Sequence, residues 1–386
     1  MHFVALKMLI GDRAKYLGII MGLTFASLLI TQQGAIFVGL MARTYGFITD
    51  TGLPDLWVMD PKVQFIDDIK PLQDTELYRV RGVEGVEWAV PLYKGLIKAR
   101  LEDGTFQTCN VVGLDDATLI GGPPAMVVGH LADLRQSDAV IVDVVGAAGK
   151  LARPALRPGG KPISLTIGDT LELNDHRATV VGLASVTRTF QSQPVIYTTY
   201  SRATLFAPRE RKLLSFVLVK AKSGENPAVV ATRIQRATGL AAYTREGFAQ
   251  LTVDYFMTNT GIPINFGIAV GLGFIVGTAI AGQTFYNFTL DNLRHFGALK
   301  AMGASNGTLL GMILLQALVV GSLGYGLGVG VAALFGHVLG STELAFRLPW
   351  QLLGLSAAAI TCICLASALI SIRKVMQLEP AIVFKG

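Results

Sequence analysis

The side chains with most to offer a partner molecule crowd into one short stretch, RHFGALKAMGAS (294–305). Arg294, His295 and Lys300 bring charge. Leu293 just before it, with Phe296, Leu299 and Met302, brings apolar bulk, and Gly297, Gly303 and Ala304 permit close approach. This mixture suits recognition better than bond-making: apolar knobs such as Leu299 and Met302 enter a groove, and flanking charges fix their register. Sets that would do covalent chemistry are incomplete. The five histidines fall at no metal-ligating spacing, and neither H-E-x-x-H nor G-x-S-x-G occurs. Asp67-Asp68 and Asp115-Asp116 are adjacent acids in turn-like sequence, the ordinary pattern of solvated carboxylates. In RPGGKPIS (157–164) the first glycine of a phosphate-binding loop would fall at Ala155, and Pro162 replaces its Ser/Thr. No catalytic residue and no metal ligand is assigned.

The elements around that stretch are unusually apolar. Of 386 residues, 51% are hydrophobic and 16% charged, against roughly a quarter charged in soluble domains. Four windows, 16–42, 255–290, 301–342 and 348–372, contain no Asp, Glu, Lys or Arg. Each exceeds the roughly 20 apolar residues needed to cross a bilayer, which predicts spans near 17–41, 262–288, 308–337 and 350–372. The link 289–307 between spans two and three is longer than the roughly two to eight residues a plain turn needs. Its Leu, Ala, Lys and Met predict a short amphipathic helix rather than a solvated turn.

Charge sets the expected topology. Residues 43–260 are nearly neutral, whereas the N-terminus, the link and the tail (Arg373, Lys374, Lys385) are basic. The positive-inside rule then places both termini and the link in the cytoplasm and 43–260 outside. The net charge of +6 is thus a topology signal and calls for no nucleic-acid partner. Splitting the third window at GSLGYGLGVG (321–330) would move the basic tail outside, so one long helix is expected there. MHFVALKMLIGDRAKY alternates apolar and basic residues, as an interfacial helix does, and its sequel reads as an uncleaved first span. Cys109, Cys362 and Cys364 suggest no disulfide framework. Gln32, Gln33, Gln283 and Gln316 are strongly polar residues within spans, read as interhelical hydrogen bonds or cargo contacts. Without Asp, Glu, Lys or Arg there, an ion-coupled transporter is disfavoured.

Residues 43–260 carry turn and strand signals. Two runs flank Asp103-Gly104 in 95–115, three more lie in 162–186 around Gly168-Asp169 and Asn174-Asp175, and LLSFVLVKAK (213–222) is another strand candidate. NPAVVATRIQRATG (226–239) predicts a helix with Val229, Val230, Ile234 and Ala237 inward and Gly239 as its stop. Residues 43–50 and 246–261 should continue spans one and two as stalks. The fold expected is an α-helical membrane protein with four transmembrane helices and a large α+β periplasmic domain inserted between helices 1 and 2. Its parts are 1–42 (interfacial helix and first span), 43–260 (outer domain) and 261–386 (three spans, the 289–307 helix and the basic tail).

RHFGALKAMGAS resembles the signature between spans two and three in permeases of the MacB/FtsX superfamily of ABC transporters, and YNFTLDNLRHFGALKAMGA is most similar to the DevC-like branch. IGDTLELNDHRATVVGLAS (167–185), VIYTTYSRATLF (195–206) and RKVMQLEPAIVFKG (373–386) are similar to further family segments. His295 stands where many members carry Glu, so that residue's ion pair to the ATPase does not transfer.

The resemblance implies a multi-pass protein of the bacterial inner membrane, itself no enzyme and holding no cofactor. Two ABC ATPase subunits, supplied in trans, bind ATP and Mg and grip the link at Leu293–Gly297, Leu299, Lys300 and Met302–Ala304. A second copy pairs through spans one and two, helped by Gly18/Gly22, Gly267/Gly271 and Gly273/Gly277, glycines that equally suit packing within one chain. ATP-driven closure is expected to move the outer domain and extrude a lipophilic or periplasmic substrate through a periplasmic adaptor and an outer-membrane duct. The alternative is an FtsX-like mechanical regulator of a cell-wall hydrolase, whose outer domain is typically much smaller.

Overall fold

The computed structural model describes residues 2–155, 160–208, 214–338 and 344–376. They form two compact units, one of residues 1–40 with 261–386 and one of residues 41–260. The motif residues Glu379, Pro380, Ala381 and Lys385 of the tail lie outside the described residues.

The helical unit contains α1 (His2–Gly11), most of α2 (Arg13–Asp50), α8 (Ile262–Asp291), α9 (Leu293–Ala301), α10 (Asn306–Val338) and α11 (Trp350–Met376). Four of these, α2, α8, α10 and α11, are long and apolar enough to cross a membrane. The 306–338 stretch is a single helix. Small residues set how closely the helices approach. A Cβ on Gly22 would meet Ile280 Cγ2 at 2.6 Å, and Gly324 and Gly328 of α10 admit Leu23 (2.6 Å) and Ser27 (2.5 Å) of α2. Buried Leu23, Ala26, Ile30, Phe285, Phe288, Ile313, Val320 and Ile363 fill the space between.

The sheet unit is built from β1 (Leu56–Met59), α3 (Asp74–Arg81), β2 (Val86–Arg100), β3 (Phe106–Leu114), β4 (Ala125–Val128), β5 (Ala139–Asp143), α4 (Val144–Ala148), β6 (Thr170–Leu173), β7 (His176–Ser185), β8 (Val195–Thr199), α5 (Tyr200–Phe206), β9 (Phe216–Ala221), α6 (Pro227–Thr238), β10 (Ala241–Thr244) and α7 (Arg245–Asn259). Ten strands pair in the order β10-β1-β9-β2-β3-β8-β5-β7-β4, with β6 bridging β2 and β7. The 15-residue β2 is the spine. Its first half pairs antiparallel with β9, and its second half pairs with β3 through the hairpin at Asp103-Gly104. A second tight hairpin joins β6 to β7 through Asn174 and Asp175, both at positive φ, as a two-residue turn of that hand requires.

Two expectations need correction. In α6 the buried stripe is Val230, Ala231, Ile234 and Thr238, while Val229 and Ala237 are exposed. The stripe follows the i, i+4, i+8 row, and Thr238 can be buried because its hydroxyl donates to the Ile234 carbonyl (2.7 Å). The two stalk segments also differ. Residues 43–50 continue α2 without a break, but α7 stops at Asn259 and α8 begins anew at Ile262. Pro263 has no N–H to donate and suits the first turn of a helix.

The α2 extension is anchored in the sheet unit by Asp50, whose carboxylate takes the Thr187 N–H (2.7 Å) and hydroxyl (2.8 Å). Its Phe47 packs edge-on to buried Trp57, which in turn meets Phe216 and Phe248.

Candidate functional site

The link folds as a helix with two unlike faces, closed by hydrogen bonds at both ends. At its entry, Asn292 closes α8 by donating its side-chain amide to the Phe288 carbonyl (2.9 Å). The Asn292 carbonyl then takes the N–H groups of His295 and Phe296 to start α9. At its exit the Ala304 N–H reaches back to the Leu299 carbonyl and the Met302 N–H to Ala298, both at 3.0 Å. Gly303 sits at φ +92°, the left-handed residue that this helix-ending motif needs. Ser305 then caps α10, its hydroxyl taking the Thr308 N–H at 3.2 Å. Thus "MGAS" is a helix stop followed at once by a helix start.

Phe296 and Leu299, 1% and 8% exposed, pack into the core of the helical unit beside Leu309, Met312 and Ile313. Gly297 is buried with them, and Leu293 and Ala304 are partly buried against the same core. The outer face shows Arg294, His295, Ala298, Ala301 and Gly303, together with Met302 at 75% exposure. Leu299, expected as a knob for a partner, therefore belongs to the chain's own core. Met302 is the apolar knob that remains. Lys300 is half-buried.

Asp291, a carboxylate at the C-terminal end of α8 where the helix dipole disfavours it, is paired with Lys15 of α2. Lys15 also pairs with Asp12 at 2.9 Å. This joins the start of α2 to the start of the link. Sequence reading missed it, because the partners lie 276 residues apart. Buried Gln316 makes an interhelical hydrogen bond, one of the two roles expected of it: its Nε2 donates to the Ala5 carbonyl (2.7 Å) and ties α1 to α10.

Four of the six singled-out glycines face helices of the same chain: Gly18 meets Thr284, Gly22 Ile280, Gly273 Leu29, and Gly277 Ala26. Gly267 and Gly271 have nothing within 4 Å of a Cβ among the described residues. Two glycines of GSLGYGLGVG, considered above only as a turn signal, admit α2 to α10. Their i, i+4 spacing at Gly324 and Gly328 was the available clue.

The adjacent acid pairs of the sheet unit are committed to structure. Asp67 pairs with buried Lys94, whose ammonium also lies 5.6 Å from the centre of the Phe47 ring. Asp68 pairs with Lys70 (2.7 Å), Asp115 caps Thr118, and Asp116 caps Ser201. Buried Asp143 takes the N–H groups of Gly146 and Val195, both at 2.6 Å, and burial raises its pKa. Burial, with the Asp143 charge nearby, pushes the Cys109 thiol up to about 12, which keeps it protonated and inert. Among the described residues no group of His, Cys, Asp and Glu could hold a metal ion.

The chain is similar to several known proteins. A permease of Mycobacterium tuberculosis, described as an uncharacterized ABC transporter permease, is 25% identical over 321 residues, covering 82% of this chain and 80% of the relative, and its counterpart in a second strain matches equally. Among solved structures, the periplasmic region of MacB from Actinobacillus actinomycetemcomitans aligns with a TM-score of 0.36 at 16% identity, covering 55% of this chain and 96% of that one. The extracellular domain of the noncanonic ABC-type transporter YknZ from Gram-positive bacteria aligns at 0.35 and 15%, covering 50% and 98%. The family model of the MacB-like periplasmic core domain matches residues 16–237, more than half of the chain, and that of the FtsX-like permease C-terminal domain matches 264–380. The chain belongs to the MacB/FtsX superfamily of ABC transporter permeases.

Proposed function

We propose that this chain is the permease subunit of an ATP-driven exporter of mechanotransmission type, with its motor supplied in trans. Two ATPase subunits bind ATP and Mg, close on one another and pull on the outer face of α9. The motion passes through the helices to the sheet unit, which acts on a lipophilic or periplasmic substrate together with an adaptor and an outer-membrane duct. Both termini and α9 lie in the cytoplasm, and residues 43–260 lie in the periplasm. Two copies pair along the α8 face where Gly267 and Gly271 are open and Ile264, Ile268, Leu272 and Ile275 are exposed.

The two-sidedness of α9 carries this reading. Its inner face is fixed in the core by Phe296 and Leu299, so force applied to Arg294, His295, Ala298 or Met302 must move the helices with it. A surface loop without such roots would bend instead. The match to the MacB-like core domain supports the exporter over the hydrolase regulator.

A photo-activatable cross-linker at Ala298 tests the reading in cells. Capture of an ABC ATPase supports it, and failure at Ala298 and His295 alike removes it. If cross-linkers on the sheet unit capture a cell-wall hydrolase and no adaptor, the regulator reading takes its place.

A further inference from the structure

We infer that α1 and the first turns of α2 form a seat for an anionic phospholipid, with two cations at its head and an apolar ridge for its chain. The helix is fixed in place: Ala5 and Leu9 are fully buried in the core of the helical unit, and Gln316 holds the Ala5 carbonyl. The opposite side is open. Phe3, 70% exposed, Lys7 and Ile10 fall on one face at i, i+4, i+7, and the Lys7 ammonium lies 5.3 Å from the centre of the Phe3 ring. On α2, Arg13, Leu17, Met21 and Phe25 recur every fourth residue and are all exposed, Met21 at 71%. An exposed cation therefore stands at the end of an exposed apolar row.

Charge decides the occupant. The nearby acids, Asp12 and Asp291, are both engaged by Lys15. Lys7 and Arg13 form no ion pair among the described residues, and they are the exposed cations of this end of α1 and α2. A cation at the head of an apolar row, with a second exposed cation on the adjoining helix, complements a molecule with an anionic head and a long hydrocarbon tail. Basic side chains at a span end extend toward the headgroup layer while their stems stay in the apolar region. The phosphate of a bilayer lipid is met by Lys7 and Arg13, and its acyl chain runs along Leu17, Met21 and Phe25. The packing row of α2 that faces α8 and α10 (Gly22, Ala26, Ser27) lies on a different side and is unaffected.

Native mass spectrometry of the full-length protein, offered phosphatidylglycerol and phosphatidylcholine in equal amounts, tests this. The wild type should retain phosphatidylglycerol preferentially. Lys7→Gln and Arg13→Gln should each weaken that preference about fivefold, following the gain per basic side chain at an anionic surface. The charge-conserving pair Lys7→Arg with Arg13→Lys should keep it, which separates charge from any loss of fold. Equal retention of the two lipids by the wild type, or an unchanged preference in the doubly neutralised variant, overturns the proposal. So does efficient disulfide cross-linking between two copies through Met21→Cys, because a second chain would then cover the ridge.

Discussion

Replacing Met302 with Asp separates the part of α9 that serves the fold from the part proposed to meet a partner. Met302 leaves only about a quarter of its surface in the chain's own packing. Full burial of such a side chain is worth roughly 1.5–3 kcal/mol, so its loss within the permease costs roughly 0.5 kcal/mol. A carboxylate in the last turn of a helix adds roughly 0.3–1 kcal/mol. The sum, about 1 kcal/mol, leaves a folded protein. Docking against an ATPase would bury the remaining three quarters, a loss of roughly 1–2 kcal/mol from the apolar term alone. Seating a carboxylate in the same groove adds to it, so half-activating concentrations should rise at least about tenfold. The assay is ATP hydrolysis by the partner ATPase, titrated with permease in lipid nanodiscs, with a thermal melt of each variant alongside. Phe296→Ala is the counterpart: truncating a fully buried Phe costs roughly 3–5 kcal/mol and should lower the melting temperature first. A Met302→Asp permease that activates at wild-type concentration would refute the reasoning.

Two further perturbations probe the scaffold. A Cβ at Gly336 would overlap the Phe346 ring, so Gly336→Ala should destabilise the helical unit by roughly 1–3 kcal/mol. Adding Phe346→Ala should recover part of that loss in a double-mutant cycle of thermal melts, whereas strictly additive effects would contradict the contact. Cys109 should resist alkylation until the protein unfolds. Its folded-state pKa is raised from 9.0 to about 12, so the folded state holds the proton more tightly than the unfolded chain does. The stability linked to this thiol is therefore present below pH 9.0 and is lost as pH rises through about 12. Rapid alkylation of native protein at neutral pH would contradict its burial.

The membrane helices were the most legible part of the chain, because a bilayer demands long uncharged runs and four windows supply them. The single third helix also followed, through the basic tail it had to leave on the same side. Hairpins at Asp103-Gly104 and Asn174-Asp175 were readable because those turns demand particular residues. The strand order was not readable, since β2 divides its partners between β9 and β3 across more than a hundred residues of chain. At the link, residue types announced an amphipathic helix but not which face points out. Leu299 and Met302 are three residues apart, and only the packing of α9 against Leu309 and Met312 assigns one to the core and the other to the surface. Long-range pairs such as Lys15 with Asp291 leave no local trace.

The account rests on the side of the membrane that α9 faces. Met302→Cys and, as its opposite, Phe106→Cys on the exposed hairpin of the sheet unit can be challenged with a membrane-impermeant maleimide in intact spheroplasts and in inverted vesicles. The account predicts that Phe106→Cys labels in spheroplasts and Met302→Cys only in inverted vesicles. Labelling of Met302→Cys in intact spheroplasts would contradict it.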